Sequence, residues 1–408
     1  MASFSNIKQV DRHTVTFTLA PVTVTYANTL RRLILSGVET AGFKAAIDAK
    51  GRTGDVVVKR NDTPMTNEML AHRIGLIPLA VKDPLSFKSE NYKFILNVKN
   101  DEDRPRDITT ADFEIFEYPA GLTAEDQEPV RVATDRFFPA NPLTGDHALI
   151  AVIKGKQFGQ SIGESIYLEA LPSVSNGKFN AAFIPVSQCS YVSTPNKNPD
   201  RIAEVFKKWL SLSKNIKEEE IKEDEARRVA LEKEFNTMEV ARCYLEDERG
   251  EPYSYDFTVE TGGILSIGYI VRRACEIGEA MCMRYATIDE GDLPEDLTMQ
   301  RTSASMPGYD FFFKGQDHTL GNTLQTYIVE NHIEDEANEL SSVINFAAYC
   351  VPHPLHDVMK LTIGTLDDQE ISARKCLAAA ARGCAGIFRQ LRTDWMSAIA
   401  DRGSRTQK

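Results

Sequence analysis

One short pattern occurs twice in this chain, once toward each end, and it narrows the possible folds more than any other feature. Ala27-Asn28-Thr29-Leu30-Arg31-Arg32-Leu33-Ile34-Leu35 lies over Gly321-Asn322-Thr323-Leu324-Gln325-Thr326-Tyr327-Ile328-Val329. Both read small, Asn, Thr, Leu, two polar residues, a bulky residue, Ile, an aliphatic residue. Each copy follows a strand signal. Thr14 to Leu19 alternate with period two, as a half-buried strand does, and Val22-Thr23-Val24 alternates again after Pro21. Asp310-Phe311-Phe312-Phe313-Lys314 is a short aromatic strand, followed by the turn Gly315-Gln316-Asp317. The period then becomes helical. Leu30, Leu33, Ile34 and Val38 fall at i, i+3, i+4, i+8, with Asn28 as the expected cap region and Gly42 as the stop. In the second copy a helix is expected from about His318 to Asn322 onward, with Leu324, Tyr327 and Ile328 on one face. Chance likeness of two helix starts is the bland alternative, and the shared preceding strand argues against it.

Each copy also ends in a long amphipathic helix. Ile267, Ile270, Val271, Ala274, Ile277 and Met281 form one face in the first; Cys376, Ala380, Cys384, Ile387, Leu391 and Trp395 form one in the second. Two related strand-helix units in one chain predict an internal pseudo-dimer about a local two-fold axis. The material between them is different. Val56-Val57-Val58, Tyr92 to Val98, Ile150 to Ile153, Ser165 to Leu168 and Phe183 to Val186 read as strands among turn signals at Gly51, Gly54, Pro64, Pro78 and Pro84. Polar loops are expected at Asn100 to Asp107 and Ala120 to Glu128. Asn215 to Glu234 is charge-dense, with Glu218/Lys222, Glu223/Arg227 and Asp224/Arg228 at i, i+4, and reads as a solvated surface helix. The expected organisation is a first module of 1–48 and 236–288, an inserted domain of 49–194 and a charged helical connector of 195–235. A linker of 289–305 and a second module of 306–408 complete it.

Composition and motifs point away from independent chemistry. With 47 basic and 59 acidic residues the chain carries a formal charge of −12, so its surface as a whole repels nucleic acid. The seven cysteines are scattered and never form C-x-x-C, which argues against a disulfide framework or zinc module and for a reducing compartment. Neither a secretory h-region nor a bilayer-length apolar run occurs, so a soluble intracellular protein is expected. Phosphate-cradling glycine motifs, a G-x-S-x-G elbow and a reactive-cysteine signature are all missing. Asp101-Glu102-Asp103 reads as a solvated loop rather than a Mg²⁺ site. His353-Pro354-Leu355-His356 reads as a turn entering a strand, and His72 as a packed or capped histidine.

The motifs resemble a family. Ala27 to Ser36 is similar to the signature helix of the alpha-like subunits of multisubunit DNA-dependent RNA polymerase. These are bacterial alpha, the third-largest subunit of RNA polymerase II and its archaeal counterpart. Asn67 to Leu79, Gly177-Lys178-Phe179-Asn180 with Pro185-Val186, and Asp256 to Gly263 extend that resemblance. Asp317 to Leu324, Ala347 to Leu355 and Leu361 to Thr365 resemble the small partner, which is the eleventh subunit of the eukaryotic enzyme and has its own archaeal counterpart. The implied fold is α+β: two alpha-like dimerisation modules packed as an intramolecular pseudo-two-fold dimer, the first interrupted by a mixed, strand-rich domain. The implied function is a non-catalytic assembly platform for the largest and second-largest polymerase subunits, alongside other small subunits, without sequence-specific DNA binding or membrane contact. A repurposed pseudo-dimeric binding protein outside the polymerase is the alternative. Leu30, Leu33, Ile34, Ile270, Ala274, Leu324, Tyr327, Ile328, Ile387 and Leu391 are the expected dimerisation residues. Asn28, Arg31 and Arg32 are the expected docking residues for the large subunits, their guanidinium groups suited to partner carboxylates. Some relatives hold a cysteine cluster in the insert. Here Cys189 stands alone before Cys243, so no cofactor is expected in this chain, with Mg²⁺ and Zn²⁺ left to other subunits. A single chain holding both modules resembles the arrangement in some large DNA viruses. The resemblance therefore implies the nucleus for a cellular protein, and host cytoplasm, virus factory or virion for a viral one.

Overall fold

The computed structural model describes residues 3–47, 54–119, 128–156, 163–216, 224–335 and 337–406. They form two compact units, one of Met1–Leu33, Gln188–Glu260 and Val271–Lys408, the other of Ile34–Ser187 and Thr261–Ile270.

The first unit carries two four-stranded sheets of identical topology. One runs in the order Ser3–Gln9, Thr14–Ala20, Tyr255–Thr261, Val186–Ser193; the other runs Leu297–Arg301, Gly308–Lys314, Val358–Thr365, Ile344–Cys350. In both, a hairpin of two strands feeds a leading helix, Val24–Ser36 or His318–Ile328. Two more strands follow, the later one lying inside, and a closing helix ends the module, Ile267–Met283 or Glu370–Thr406. One offset relates the copies. Ser3, Thr14 and Val24 open their elements 294 residues before Leu297, Gly308 and His318, the separation that also divides Thr29 from Thr323. The repeat therefore reaches into the segment expected as a linker. Leu297–Arg301 is an edge strand whose Met299 faces Phe311.

Period-two patterning decides which side of each strand is buried. Val15, Phe17 and Leu19 point into one core and Phe311 and Phe313 into the other. Phe17 stacks on Phe257, its register partner, with centroids 5.0 Å apart. The first leading helix starts sooner than its sequence suggests. Pro21 follows the strand and the helix takes up at Val24, so Asn28 lies inside it rather than at its cap. Gly42 is not the stop either. The helix ends at Ser36, and Gly42 sits in the strand Glu39–Gly42, where a Cβ would lie 3.0 Å from the Phe183 ring. The second leading helix is capped by Asp317, whose carboxylate accepts from Thr319 N–H, and it continues into a wider helical turn, Val329–Ile333.

Among its described residues the connector holds two helices, Pro199–Ser213 and Glu225–Met238. The first opens on an Asn198 cap with proline following, a combination that starts helices well. Trp209, Leu210, Phe235 and Cys243 form its small core. Glu225 to Glu234 of the charge-dense stretch is a largely exposed helix, as expected, while Asn215 and Ile216 lie outside any helix. Glu218, Lys222 and Glu223 lie outside the described residues, Asp224 caps Arg227 N–H, Arg228 pairs with Glu232, and Phe235, just past the stretch, is buried.

The second unit is built on a five-stranded antiparallel sheet in the order Val56–Asn61, Ser165–Ala170, Tyr92–Lys99, Phe113–Glu117, Val130–Val132. Helix Asn67–Gly75 and the paired strands Arg106–Thr109 and Leu149–Ile153 complete a core around Phe43, Phe94, Phe113, Phe137, Phe138 and Ile74. Within the expected polar loop, Asp101, Glu102 and Asp103 are exposed, whereas buried Asn100 donates to the carbonyls of Arg104, Ile153 and Lys154. Arg106 and Asp107 already belong to a strand. The loop expected at Ala120 to Glu128 lies almost wholly outside the described residues. Phe183 to Val186 is not a strand: Asn180 caps a short turn at Ala181–Phe183, and extended pairing begins at Val186.

Candidate functional site

The two leading helices meet through a ladder of hydroxyl groups. Thr29 Oγ1 and Thr323 Oγ1 are 2.9 Å apart and buried, and these two residues are equivalents in the repeat. A residue that touches its own equivalent lies on the two-fold axis of an isologous interface. Such an axis brings contacts off it in reciprocal pairs where the two modules are alike, and one such pair is present. Thr25 Oγ1 lies 3.0 Å from Thr326 Oγ1, while Arg32, the equivalent of Thr326, donates from Nε at 2.8 Å to Thr319, the equivalent of Thr25. Arg32 Nη2 also reaches the Asp317 carboxylate at 3.5 Å, each side chain a little over one-third exposed. Asn322 adds a 3.3 Å bond to Thr25.

The closing segments also cross, each setting an aromatic ring on the sheet of the other module. Trp395, at the far end of the second closing helix, packs edge-on to Phe4 at 4.9 Å and against Phe17 at 5.2 Å, in the first module's sheet. Tyr285, just past the first closing helix, packs edge-on to Phe313 of the second module's sheet at 4.9 Å and donates to Asp296 at 2.7 Å. Between them the helices approach closely. A Cβ on Gly278 would lie 2.7 Å from the Phe388 ring, and Phe388 also meets Tyr26 edge-on at 6.4 Å. Ion pairs border this contact: Glu279 takes Arg389 at 2.7 Å and Arg392 at 3.1 Å, and Asp289 takes Arg382 at 3.0 Å. The Arg382 guanidinium holds the Asp289 carboxyl below the usual carboxylate range. Burial pushes the Cys275 and Cys376 thiols up to about 12, which keeps them protonated and unreactive as nucleophiles.

Among the expected dimerisation residues, Leu30, Leu33, Ile34, Ile270, Ala274, Leu324, Ile328 and Leu391 are buried, and Tyr327 is half-buried. Ile387 is only half-buried; its neighbour Phe388 takes the core position because the buried stripe steps from Cys384 to Phe388 to Leu391. Of the expected docking residues, Arg31 donates from Nε and Nη2 to Asn28 Oδ1 at 3.1 and 2.9 Å, so the two form one polar unit on the helix. Arg32 instead bonds the second module, a role that sequence reasoning missed. Asp317 and Thr319 were legible only as a helix start, since their partner lies across the repeat.

The sites set aside on sequence grounds lie as follows. His72 is exposed on its helix, not packed as expected, because Leu70, Ala71 and Ile74 take the buried face. His353 and His356 sit in a turn before the strand Val358–Thr365, ring centroids 4.7 Å apart. Among the described residues no group of three or more His, Cys, Asp and Glu is placed to hold a metal ion, and no helix is long and apolar enough to cross a membrane.

Residues 16–282 match the family model described as the RNA polymerase Rpb3/Rpb11 dimerisation domain, and residues 309–394 match a second model of the same description. The chain belongs to the RNA polymerase Rpb3/Rpb11 family. Its two matches divide as the two sheets do, so one polypeptide carries both Rpb3/Rpb11 modules. It is 25% identical over 289 residues to the DNA-directed RNA polymerase subunit Rpo3 of Methanopyrus kandleri, covering 66% of this chain and 89% of that protein. To Rpo3 of Pyrococcus horikoshii it is 26% identical over 273 residues, 64% of this chain and 88% of the relative. The RNA polymerase II subunit rpb3 of Dictyostelium discoideum is 23% identical over 299 residues, 66% and 89% of the two chains.

Proposed function

We propose that this chain is a non-catalytic assembly subunit of a DNA-directed RNA polymerase, an internal Rpb3/Rpb11-type dimer on which the two largest subunits are mounted. The reciprocal contact set about Thr29 and Thr323 carries the reading, because it makes one chain do what a dimer of separate modules would do. Joining the modules replaces a bimolecular encounter by an intramolecular one and fixes the stoichiometry. The relatives named as polymerase subunits support the same role. Asn28 and Arg31 are the residues offered to a large subunit; Arg32 serves the pairing of the modules. In this reading the chain works within the cell and needs no metal or cofactor of its own.

The test is purification of the tagged chain from its native source, with mass spectrometry and a templated RNA-synthesis assay. Recovery of two much larger subunits in equal amount, with RNA synthesis, is the expected result, and Arg31→Ala should weaken their retention. A chain recovered alone or with unrelated proteins overturns the proposal.

A further inference from the structure

The first unit has a groove beside the start of the first leading helix, with a cavity of about 680 Å³ lined by Pro21 to Thr25, Asp247 to Glu251, Tyr253, Thr326 and Glu330 among others. That volume falls in the range of ligand and peptide pockets. Its apolar side is Val22, Val24, Pro252 and Tyr253, and Val24 is 49% exposed at the first position of its helix. Carboxylates dominate the polar side: Asp247, Glu248, Glu251 and Glu330 outnumber the cation Arg249. Arg249 is already engaged, its Nη1 2.6 Å from the Glu334 carboxylate. Asp247 builds the turn by accepting the N–H groups of Arg249 and Glu251 at 2.9 Å each.

Glu330 differs from the other three. It rides on the wide helical turn Val329–Ile333, a geometry frequent at functional sites, and is half-buried. Burial pushes its carboxyl up, with Arg249 opposing that shift and Glu334 adding to it. Thr23, which also lines the groove, has a buried Oγ1 without a hydrogen-bond partner among the described residues.

We infer that this groove docks an extended, basic and aliphatic segment of another protein, a lysine or arginine meeting Glu330 while aliphatic neighbours cover Val24 and Pro252. The charge decides the sign of the partner: an anionic ligand would be opposed by the surplus of carboxylates, and a cation entering beside Glu330 gains from a charge the protein holds in a desolvated setting. The apolar wall decides the rest, since a purely ionic ligand would leave it uncovered. Binding at this groove does not depend on the polymerase reading, and its assay contains no polymerase, so the two can fail separately.

The experiment uses the full chain and three fluorescein-labelled octapeptides, alternating Lys/Leu, Lys/Ser and Glu/Leu, followed by fluorescence anisotropy at low and at physiological salt. The Lys/Leu peptide should bind with a Kd on the order of 10 μM, weakening as salt rises. The Glu330→Gln, Glu251→Gln double variant should bind it about tenfold more weakly or worse. Val24→Ser should weaken Lys/Leu and leave the residual Lys/Ser signal unchanged. The melting temperature of Glu330→Gln should be unchanged or higher, because the substitution removes a half-buried charge, so lost binding would not reflect lost folding. Equal binding of Lys/Ser and Lys/Leu, full binding by the double variant, or no binding of any peptide would each overturn the inference.

Discussion

The hydroxyl pair on the pseudo-two-fold axis leads to an unequal prediction for two equivalent residues. Thr323 Oγ1 donates to the Thr319 carbonyl at 2.7 Å, so in its 2.9 Å contact with Thr29 it must accept, and Thr29 donates. Thr29→Val removes a donor from an oxygen that keeps its own hydrogen bond, and the loss should be about 0.5–1 kcal/mol, the net worth of one such bond. Thr323→Val leaves the Thr29 hydroxyl buried with its acceptor gone, which should cost about 1–3 kcal/mol. Replacing both puts two methyl groups where two hydroxyls met, and that double change should cost clearly less than the sum of the singles. Urea unfolding followed by tryptophan fluorescence isolates the relevant transition, because Trp209 and Trp395 are the chain's only two tryptophans and both lie in the unit that holds the helix pair. Equal effects of the two single substitutions, or additivity to within about 0.5 kcal/mol, would refute the donor assignment and with it the axial hydrogen bond.

Trp395→Ala should destabilise the same unit by about 3–5 kcal/mol, since a fully buried ring in contact with Phe4 and Phe17 is lost; circular dichroism in urea reads it, and a loss under about 1 kcal/mol would place Trp395 outside the core. Asp289 has a folded-state pKa below its unfolded value, so its ion pair with Arg382 adds stability at neutral pH that is lost as pH falls through the folded value. The gap between wild type and Asp289→Asn, measured by urea melts from neutral pH to about pH 3, should therefore shrink with acid, and a constant gap would refute the linkage. Reversing Arg32 to Asp or Asp317 to Arg should each destabilise the unit, the latter also by losing the helix cap, and the double reversal should cost about 0.5–1 kcal/mol less than the sum of the singles, small because both side chains are more than one-third exposed; strict additivity would refute the coupling of this pair.

The repeat was legible because side-chain size and polarity recur where both helices bury the same face: Leu30 and Leu324 are fully buried, as are Ile34 and Ile328. Its true extent was not. Leu297–Arg301 resembles Ser3–Gln9 in place but not in residues, for an edge strand is fixed by backbone pairing with its neighbour more than by its own side chains. Boundaries failed where a neighbour settled them, as with Asn28 once Pro21 had closed the strand. The connector was expected to be helical, and the helix Pro199–Ser213 has its particular signals in Asn198-Pro199 and the spacing of Ile202, Val205, Phe206, Trp209 and Leu210. Phe388 displaced Ile387 because a long helix drifts against any fixed stepping, and a one-residue error in phase moves a side chain by about 100°. The reciprocal bonds were beyond reach, since each joins residues that only the folded chain brings together.

Reciprocity also explains where the two modules are allowed to differ. At the axis they are alike, threonine to threonine. One turn away the common offset sets Arg32 over Thr326 and Asp317 over Thr23, and here the likeness ends. Two first modules paired with each other would put Arg32 opposite Thr23 and Thr25 on both flanks, with no counterpart of Asp317 across the axis for either guanidinium. Two second modules would set Thr326 toward Asp317, so neither cap carboxylate would meet a guanidinium across the axis. Only the unlike pair completes the contact, and it does so on one flank alone. Each such ion pair is weak, but specificity is a difference between alternatives, and the like pairs lose the carboxylate or the guanidinium on both flanks at once. Carrying both modules on one chain then makes the unlike pair the nearest one in space as well as the better matched. The asymmetry of Arg32 and Asp317 chooses the partner, and the symmetry of Thr29 and Thr323 sets the axis about which that partner is held.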